Sequence, residues 1–223
     1  LISALVGKDD VVYLDKLDHA SIVDGAKMSY GTTTRFNHGN LAQLDRKMAP
    51  DAAAGRGMMI IVDGVYSMEG DIADVPGLSA VARKHGAALA IDDAHSLGVL
   101  GPKGDGTAAH FGMTDEVDII AGFVAALEVM QQEPERRESL WANARRLQEG
   151  FRQLGFDIGP TETPIVPVLI GPLDTTFIMW RKLFDAGVFT NPVAPPAVPP
   201  AQCRIRTSVM ATHTFDQIDF SLD

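Results

Sequence analysis

The run Ile91-Asp92-Asp93-Ala94-His95-Ser96-Leu97-Gly98 sets a carboxylate and an imidazole three residues apart, directly after the apolar segment Ala87 to Ile91. Such a segment reads as a buried parallel strand, and open α/β folds place their chemistry at the ends of these strands. A carboxylate there can hold a protonated ring nitrogen, and the imidazole can reach an adjacent ring oxygen, a pairing that suits a pyridine-type cofactor. The same residues also fit a strand followed by a polar helix cap, and this run alone does not choose between the two.

More motifs accompany it. Upstream stand Leu17-Asp18-His19-Ala20-Ser21-Ile22-Val23-Asp24-Gly25, Arg35-Phe36-Asn37-His38-Gly39-Asn40 and Gly64-Val65-Tyr66-Ser67-Met68-Glu69-Gly70. Downstream stand Gly101-Pro102-Lys103-Gly104-Asp105-Gly106, Arg204-Ile205-Arg206-Thr207-Ser208 and Met210-Ala211-Thr212-His213-Thr214. In this order and spacing they resemble the α-oxoamine synthases, fold-type I pyridoxal phosphate (PLP) enzymes that condense an amino acid with an acyl-CoA. The resemblance covers nearly the whole chain. Three stretches are most similar to bacterial serine palmitoyltransferases: Asp92 to Gly101, Thr107 to Gly112, and Gly187-Val188-Phe189 with Asn191 to Pro199. The 8-amino-7-oxononanoate synthases, glycine C-acetyltransferases and 5-aminolevulinate synthases share most of the same motifs.

The resemblance implies a role for each candidate residue. Asp92 would form the salt bridge to the pyridinium nitrogen, His95 would meet the phenolic oxygen, and His19 would stack over the pyridine face. Ser67 would contact the cofactor from the loop after the Met58 to Val62 strand. Arg206 matches the family's Arg-x-Ser/Thr position and would bind the substrate carboxylate through its fork. Arg204 lies on the same face of a strand by alternation, so geometry alone does not separate the two arginines. Each role has a plainer reading: an N-cap for Asp92, a capping or surface histidine for His19, a turn serine for Ser67. His38 fits a turn motif, His110 and His213 fit structural roles, and no Cys/His spacing points to zinc. The implied reaction is a decarboxylative Claisen condensation, which for L-serine and palmitoyl-CoA gives 3-ketodihydrosphingosine, CoA and CO2.

One departure from the family stands out. The family places a Thr-x-Ser-Lys segment, with the lysine that binds PLP, after a stretch like Val117-Asp118-Ile119-Ile120. Here Ile120-Ala121-Gly122 runs straight into Phe123-Val124-Ala125-Ala126-Leu127-Glu128. The lysines are Lys8, Lys16, Lys27, Lys47, Lys84, Lys103 and Lys182, none in a matching context. The sequence also starts abruptly, with Leu1 to Gly7 reading as a helix already under way. The expectation is that segments of a longer protein are left out, including one near residues 122/123, with a break or irregular connection there. The rival reading is a lysine-less, non-catalytic partner subunit. A PLP-binding transcription regulator would need a basic DNA-binding module, which this chain does not show.

These residues need a scaffold to position them. Val11 to Leu14, Met58 to Val62, Ala87 to Ile91 and Asp118 to Ile120 are short apolar runs separated by stretches with helical character, such as Asn40 to Met48 and Val75 to His85. That alternation implies an α/β, doubly wound, mostly parallel sheet over residues 1–134. Glu128 to Leu154 has helical spacing and leads into a smaller C-terminal α+β domain, 135–223, with strands at Pro164 to Ile170 and Arg204 to Val209 and a helix at Thr175 to Ala186 ended by Gly187. Pro192 to Pro200 reads as a stiff extended loop.

Composition sets the remaining bounds. With 46% apolar residues the chain can build a core, and its single cysteine, Cys203, rules out an internal disulfide and fits a reducing compartment. A net charge of −10 opposes nucleic-acid binding and requires a local basic patch for an anionic acyl-CoA. No run approaches the ~20 apolar residues of a membrane span. The sequence therefore implies a cytoplasmic enzyme without bound metal, and the family resemblance adds a homodimer with its active site at the subunit interface.

Overall fold

The computed structural model describes residues 1–122 and 133–223. The expected irregular connection at Gly122/Phe123 and the start of the Glu128 to Leu154 helix fall within 123–132, outside the described residues. The chain divides into two compact units, one of Leu1–Tyr66 with Ile72–Gln131, the other of Ser67–Asp71 with Gln132–Asp223.

The first unit is built on five parallel strands: β1 (Val11–Asp15), β2 (Thr32–Phe36), β3 (Met58–Asp63), β4 (Ala88–Asp92) and β5 (Ile119–Ala121), in the order β2-β1-β3-β4-β5. Alternation along the strands divides the core into two layers. Val11, Tyr13, Ile60, Val62, Leu89 and Ile91 pack to one side with Leu44 and Met48 of helix α3 (Leu41–Ala53) and Val75, Leu78 and Ala82 of α4 (Val75–His85). Val12, Leu14, Met59, Ile61 and Ala90 pack to the other with α1 (Ile2–Leu5) and α2 (Ala20–Lys27) through Ile2, Ile22 and Ala26. With helices on both faces, the strands are buried throughout, which is why β3 reads as six consecutive apolar or strand-end residues.

Local signals fix the helix ends. Asp74 caps α4 by accepting the Gly77 N–H, and Gly86 ends it in the left-handed region at φ 68°. Asn40 caps α3 by accepting the Gln43 N–H. One strand escapes the sequence pattern. β2 is an edge strand of sequence Thr-Thr-Thr-Arg-Phe with only Phe36 buried, so it has no apolar run to announce it. After β4 come a short α5 (Thr107–His110) and a 3-10 turn at Thr114–Glu116.

The second unit holds helix α6 (Pro134–Gln153), strand β6 (Ile165–Gly171), helix α7 (Leu173–Asp185), strands β7 (Asn191–Val193) and β8 (Cys203–Ser208), and helix α8 (Phe215–Phe220). Its antiparallel sheet has the order β6-β8-β7, so β7 turns part of the proline-rich stretch into an edge strand. Ala144, Leu147 and Phe151 of α6 pack on Val166 and Val168 of β6, with Val209 and Ile218 completing the core.

Candidate active site

The order of the parallel sheet reverses at β1: the chain moves from β1 outward to β2, then returns to β3 on the other side. A crevice forms at such a switch point, beyond the carboxyl ends of the strands. The β1/β3 ladder stops at Leu14–Ile61, while β3/β4 pairing continues to Asp63–Asp92. The chain ends the three strands at this point with Asp15, Asp63 and Asp92.

Asp92 is half-buried at the end of β4. Its Oδ1 accepts the Ala94 N–H at 3.1 Å, and its carboxylate makes no other hydrogen bond among the described residues. Its backbone carbonyl accepts the Gly64 N–H at 2.8 Å, which ties the ends of β3 and β4 together. Asp63, opposite it in register, accepts the His19 N–H on Oδ2 at 2.7 Å. Through Asp63 the structure therefore links two of the sequence-expected residues, Asp92 and His19.

His19 is exposed and caps α2 through its ring: Nδ1 accepts the Ser21 N–H at 3.3 Å and lies 2.9 Å from the Ser21 hydroxyl. The capping reading of His19 is thus correct for Nδ1, and it fixes the ring while leaving its face open. Because Nδ1 accepts from a backbone donor, the neutral ring carries its proton on Nε2. His95 is half-buried in the turn that follows β4. That turn is anchored by Asp93, which is fully buried and accepts from the Ser96 hydroxyl and from the Thr107 N–H at 3.1 Å. Burial pushes the Asp93 carboxyl up, the Ser96 and Thr107 bonds pull it back in part, and the Asp92 charge adds to the rise. A Cβ at Gly64 or at Gly106 would strike the Asp93 carboxylate, so this turn is closely packed around it.

Two more carboxylates, not singled out from the sequence, complete the edge. Asp15 is buried and accepts the Leu17 and Gly39 N–H groups at 2.9 and 3.0 Å, and it pairs with His38 Nδ1 at 3.2 Å. Burial pushes its pKa up, but the His38 imidazole and the two backbone donors outweigh that and lower it. Asp18, only 7% exposed, accepts the N–H of Asp15 at 2.7 Å and the N–H of Asp63 at 3.1 Å. Burial raises its pKa to about 8; the Asp63 N–H opposes this, and the charges of Asp63 and Asp15 add to it. The signal for these residues was an Asp at or just after each strand end, which a sequence shows only as a capping type.

Ser67 and Arg206 belong to the second unit. Ser67 is buried in the segment Ser67–Asp71. Arg206 and Arg204 alternate on β8, and the structure separates them. Arg204 donates to the Met68 carbonyl at 3.3 Å and pairs with Glu69 at 3.2 Å. The Arg206 side chain makes no hydrogen bond or ion pair among the described residues, and its Nε is buried without a partner. Burial lowers its pKa. A cavity of about 630 Å³ in this unit, lined by apolar side chains such as Phe151, Val168 and Leu183, includes none of the candidate residues. No group of three or more metal-ligating side chains occurs among the described residues, and no helix there is long and apolar enough to cross a membrane.

The chain matches the family model for aminotransferase class I and II over residues 1–125 and 119–222. It is 40% identical over 267 aligned positions to a serine palmitoyltransferase of Sphingobacterium spiritivorum, which covers all of this chain and 66% of that protein. It is 36% identical over 265 positions to an 8-amino-7-oxononanoate synthase of Symbiobacterium thermophilum, covering all of this chain and 68% of that protein. The chain thus spans about two thirds of the length of these relatives. Among solved structures, a serine palmitoyltransferase variant of S. paucimobilis with PLP–myriocin bound superposes with a TM-score of 0.93 at 31% identity, over 99% of this chain and 67% of that one.

Proposed function

The chain belongs to the class I and II aminotransferase family and has the fold-type I architecture of PLP-dependent transferases, and we propose that it carries the PLP site of an α-oxoamine synthase, with L-serine and palmitoyl-CoA as substrates. The observation that carries the reading is Asp92: a strand-end carboxylate beside the switch point, with one oxygen held by Ala94 and the other open to a ligand, coupled through Asp63 to the backbone of His19.

These residues fit the ring end of PLP. When bound, PLP supplies the electron sink that makes a bond at the amino acid's α-carbon labile. Asp92 keeps a proton on the ring nitrogen, since an ionised carboxylate favours the charged form of its partner. His19 would cover one face of the ring, and His95 would hold a hydrogen bond at the ring oxygen. Ser67 is a further contact. Arg206, desolvated and without a partner at Nε, binds the amino acid's carboxylate. The net reaction joins the amino acid to the acyl group and releases CoA and CO2. We assign the working unit as a cytoplasmic homodimer, as the family resemblance implies.

The covalent anchor is not in this sequence: residues 123–132 contain no lysine. The alignment with the S. spiritivorum enzyme runs over 267 positions against 223 residues, and the two pieces of the family match meet at 119–125. Both support an omitted stretch at this position, which would hold the lysine. The second reading of the lysine's absence is a non-catalytic partner subunit.

The deciding experiment follows CoA thiol release by the complete encoded protein, with serine, glycine and alanine each offered with short and long acyl-CoAs. Serine with palmitoyl-CoA is the expected best pair. Preference for glycine or alanine overturns the serine assignment, and no thiol release together with no covalent PLP incorporation establishes the partner-subunit reading.

A further inference from the structure

The β1 and β3 ladder ends at Leu14 and Ile61, and beyond it the two strands are joined by a side chain. The Asp18 carboxylate accepts the Asp15 N–H on Oδ2 and the Asp63 N–H on Oδ1. Asp63 in turn accepts the N–H of His19, the residue after Asp18. The chain closes a small circuit here: Asp18 holds the backbone of Asp63, and the Asp63 side chain holds the backbone of His19.

We infer that Asp18 is a positioning residue, a latch across the switch point that sets Asp63 and, through it, the placement of His19 beside Asp92. The inference rests on the PLP-site reading for its purpose, though the latch itself is a property of the chain alone. An aspartate suits the position because both backbone groups are donors and a carboxyl group offers two acceptor oxygens. An asparagine offers one, and its NH2 would face the second N–H. The groups that face Asp18 are Asp15 from β1, Asp63 from β3 and His19 at the head of α2, with His38 acting through Asp15. Burial and the charges of Asp63 and Asp15 push the Asp18 carboxyl up, while the two N–H bonds oppose the rise because they favour the carboxylate.

The test is residue-resolved amide hydrogen exchange by NMR on the chain without ligand, combined with PLP titration, for the wild type, Asp18→Asn and Asp18→Ala. In Asp18→Ala the amides of Asp15, Asp63 and His19 should exchange roughly tenfold faster or more, while Ile60 and Leu89 in mid-strand stay unchanged. Asp18→Asn should accelerate only one of Asp15 and Asp63. PLP affinity should fall roughly tenfold in Asp18→Ala. Unchanged exchange at His19, acceleration that includes Ile60 and Leu89, or unchanged PLP affinity in Asp18→Ala overturns the latch. If the wild type binds no PLP at all, the cofactor reading fails, and the exchange pattern still decides the latch.

Discussion

At the carboxyl edge of the parallel sheet, Asp15, Asp18, Asp63 and Asp93 are all buried, and each accepts at least one backbone N–H. On β8 of the other unit, Arg206 has a buried Nε with no acceptor, although Arg204 two residues away is fully engaged with Glu69 and Met68. The acidic groups of the first unit are held by the fold, so they are already in place before any ligand arrives. The Arg206 side chain has no hydrogen-bond or ion-pair partner among the described residues. The fold bears the cost of its desolvation, and an anionic ligand would relieve it. Asp92 lies between these extremes, with one oxygen fixed and one open.

The sharpest way to break this contrast is Asp92→Asn. A neutral amide cannot keep a pyridine nitrogen protonated, so turnover should fall by about 10²–10³-fold while thermal unfolding stays near wild type, because the Ala94 N–H keeps an acceptor. Wild-type turnover in this variant removes Asp92 from the mechanism.

The arginine pair gives the next largest effect. Arg206→Met should raise KM for the amino acid by about 10–100-fold, the loss of a charged hydrogen-bonded contact, with stability unchanged or increased because a half-buried cation with an unpartnered Nε is gone. Arg204→Met should do the reverse: KM unchanged and stability lower by about 2 kcal/mol, since its bonds to Glu69 and the Met68 carbonyl are lost. Equal KM effects from the two substitutions would erase the distinction that the structure draws between them.

The smallest effect is in the pH dependence of stability. Asp18 has a folded pKa of about 8, above the unfolded value of about 4. Its contribution is therefore complete below about pH 4 and is lost as the pH rises through about 8. Urea unfolding at pH 5 and pH 8.5 should show a decline in the wild type that Asp18→Asn reduces. An equal decline in both proteins assigns the slope to other groups.

The sequence carries these features unevenly. β3 and β4 are legible because both faces of a central parallel strand are apolar, and α4 is legible because Asp74 and Gly86 bracket it. β2 is not, since an edge strand of threonines satisfies its ladder without an apolar run. Asp92, His95 and His19 stand in motifs that single them out, whereas Asp18 and Asp63 do not stand out, because what marks them is a bond between residues 45 positions apart. Spacing along the chain says nothing of such pairs. The engagement of Arg204 likewise depends on Glu69, contributed by a segment that precedes β8 by well over a hundred residues, and is not legible in the sequence.

The turn around Asp93 also bears on how this protein can change. Gly64, Asp93 and Gly106 come from three separate stretches of the chain, and neither glycine leaves room for a methyl group beside the carboxylate. A library that randomises one of the three while keeping the other two will sample mostly misfolded variants at that corner. Replacing Asp93 as well would not free the two glycines, because a Cβ at Gly64 also meets the Thr107 hydroxyl and Gly106 sits at φ 102°, a conformation that strains any other residue, so the corner beneath the His95 loop tolerates change only on its outer side.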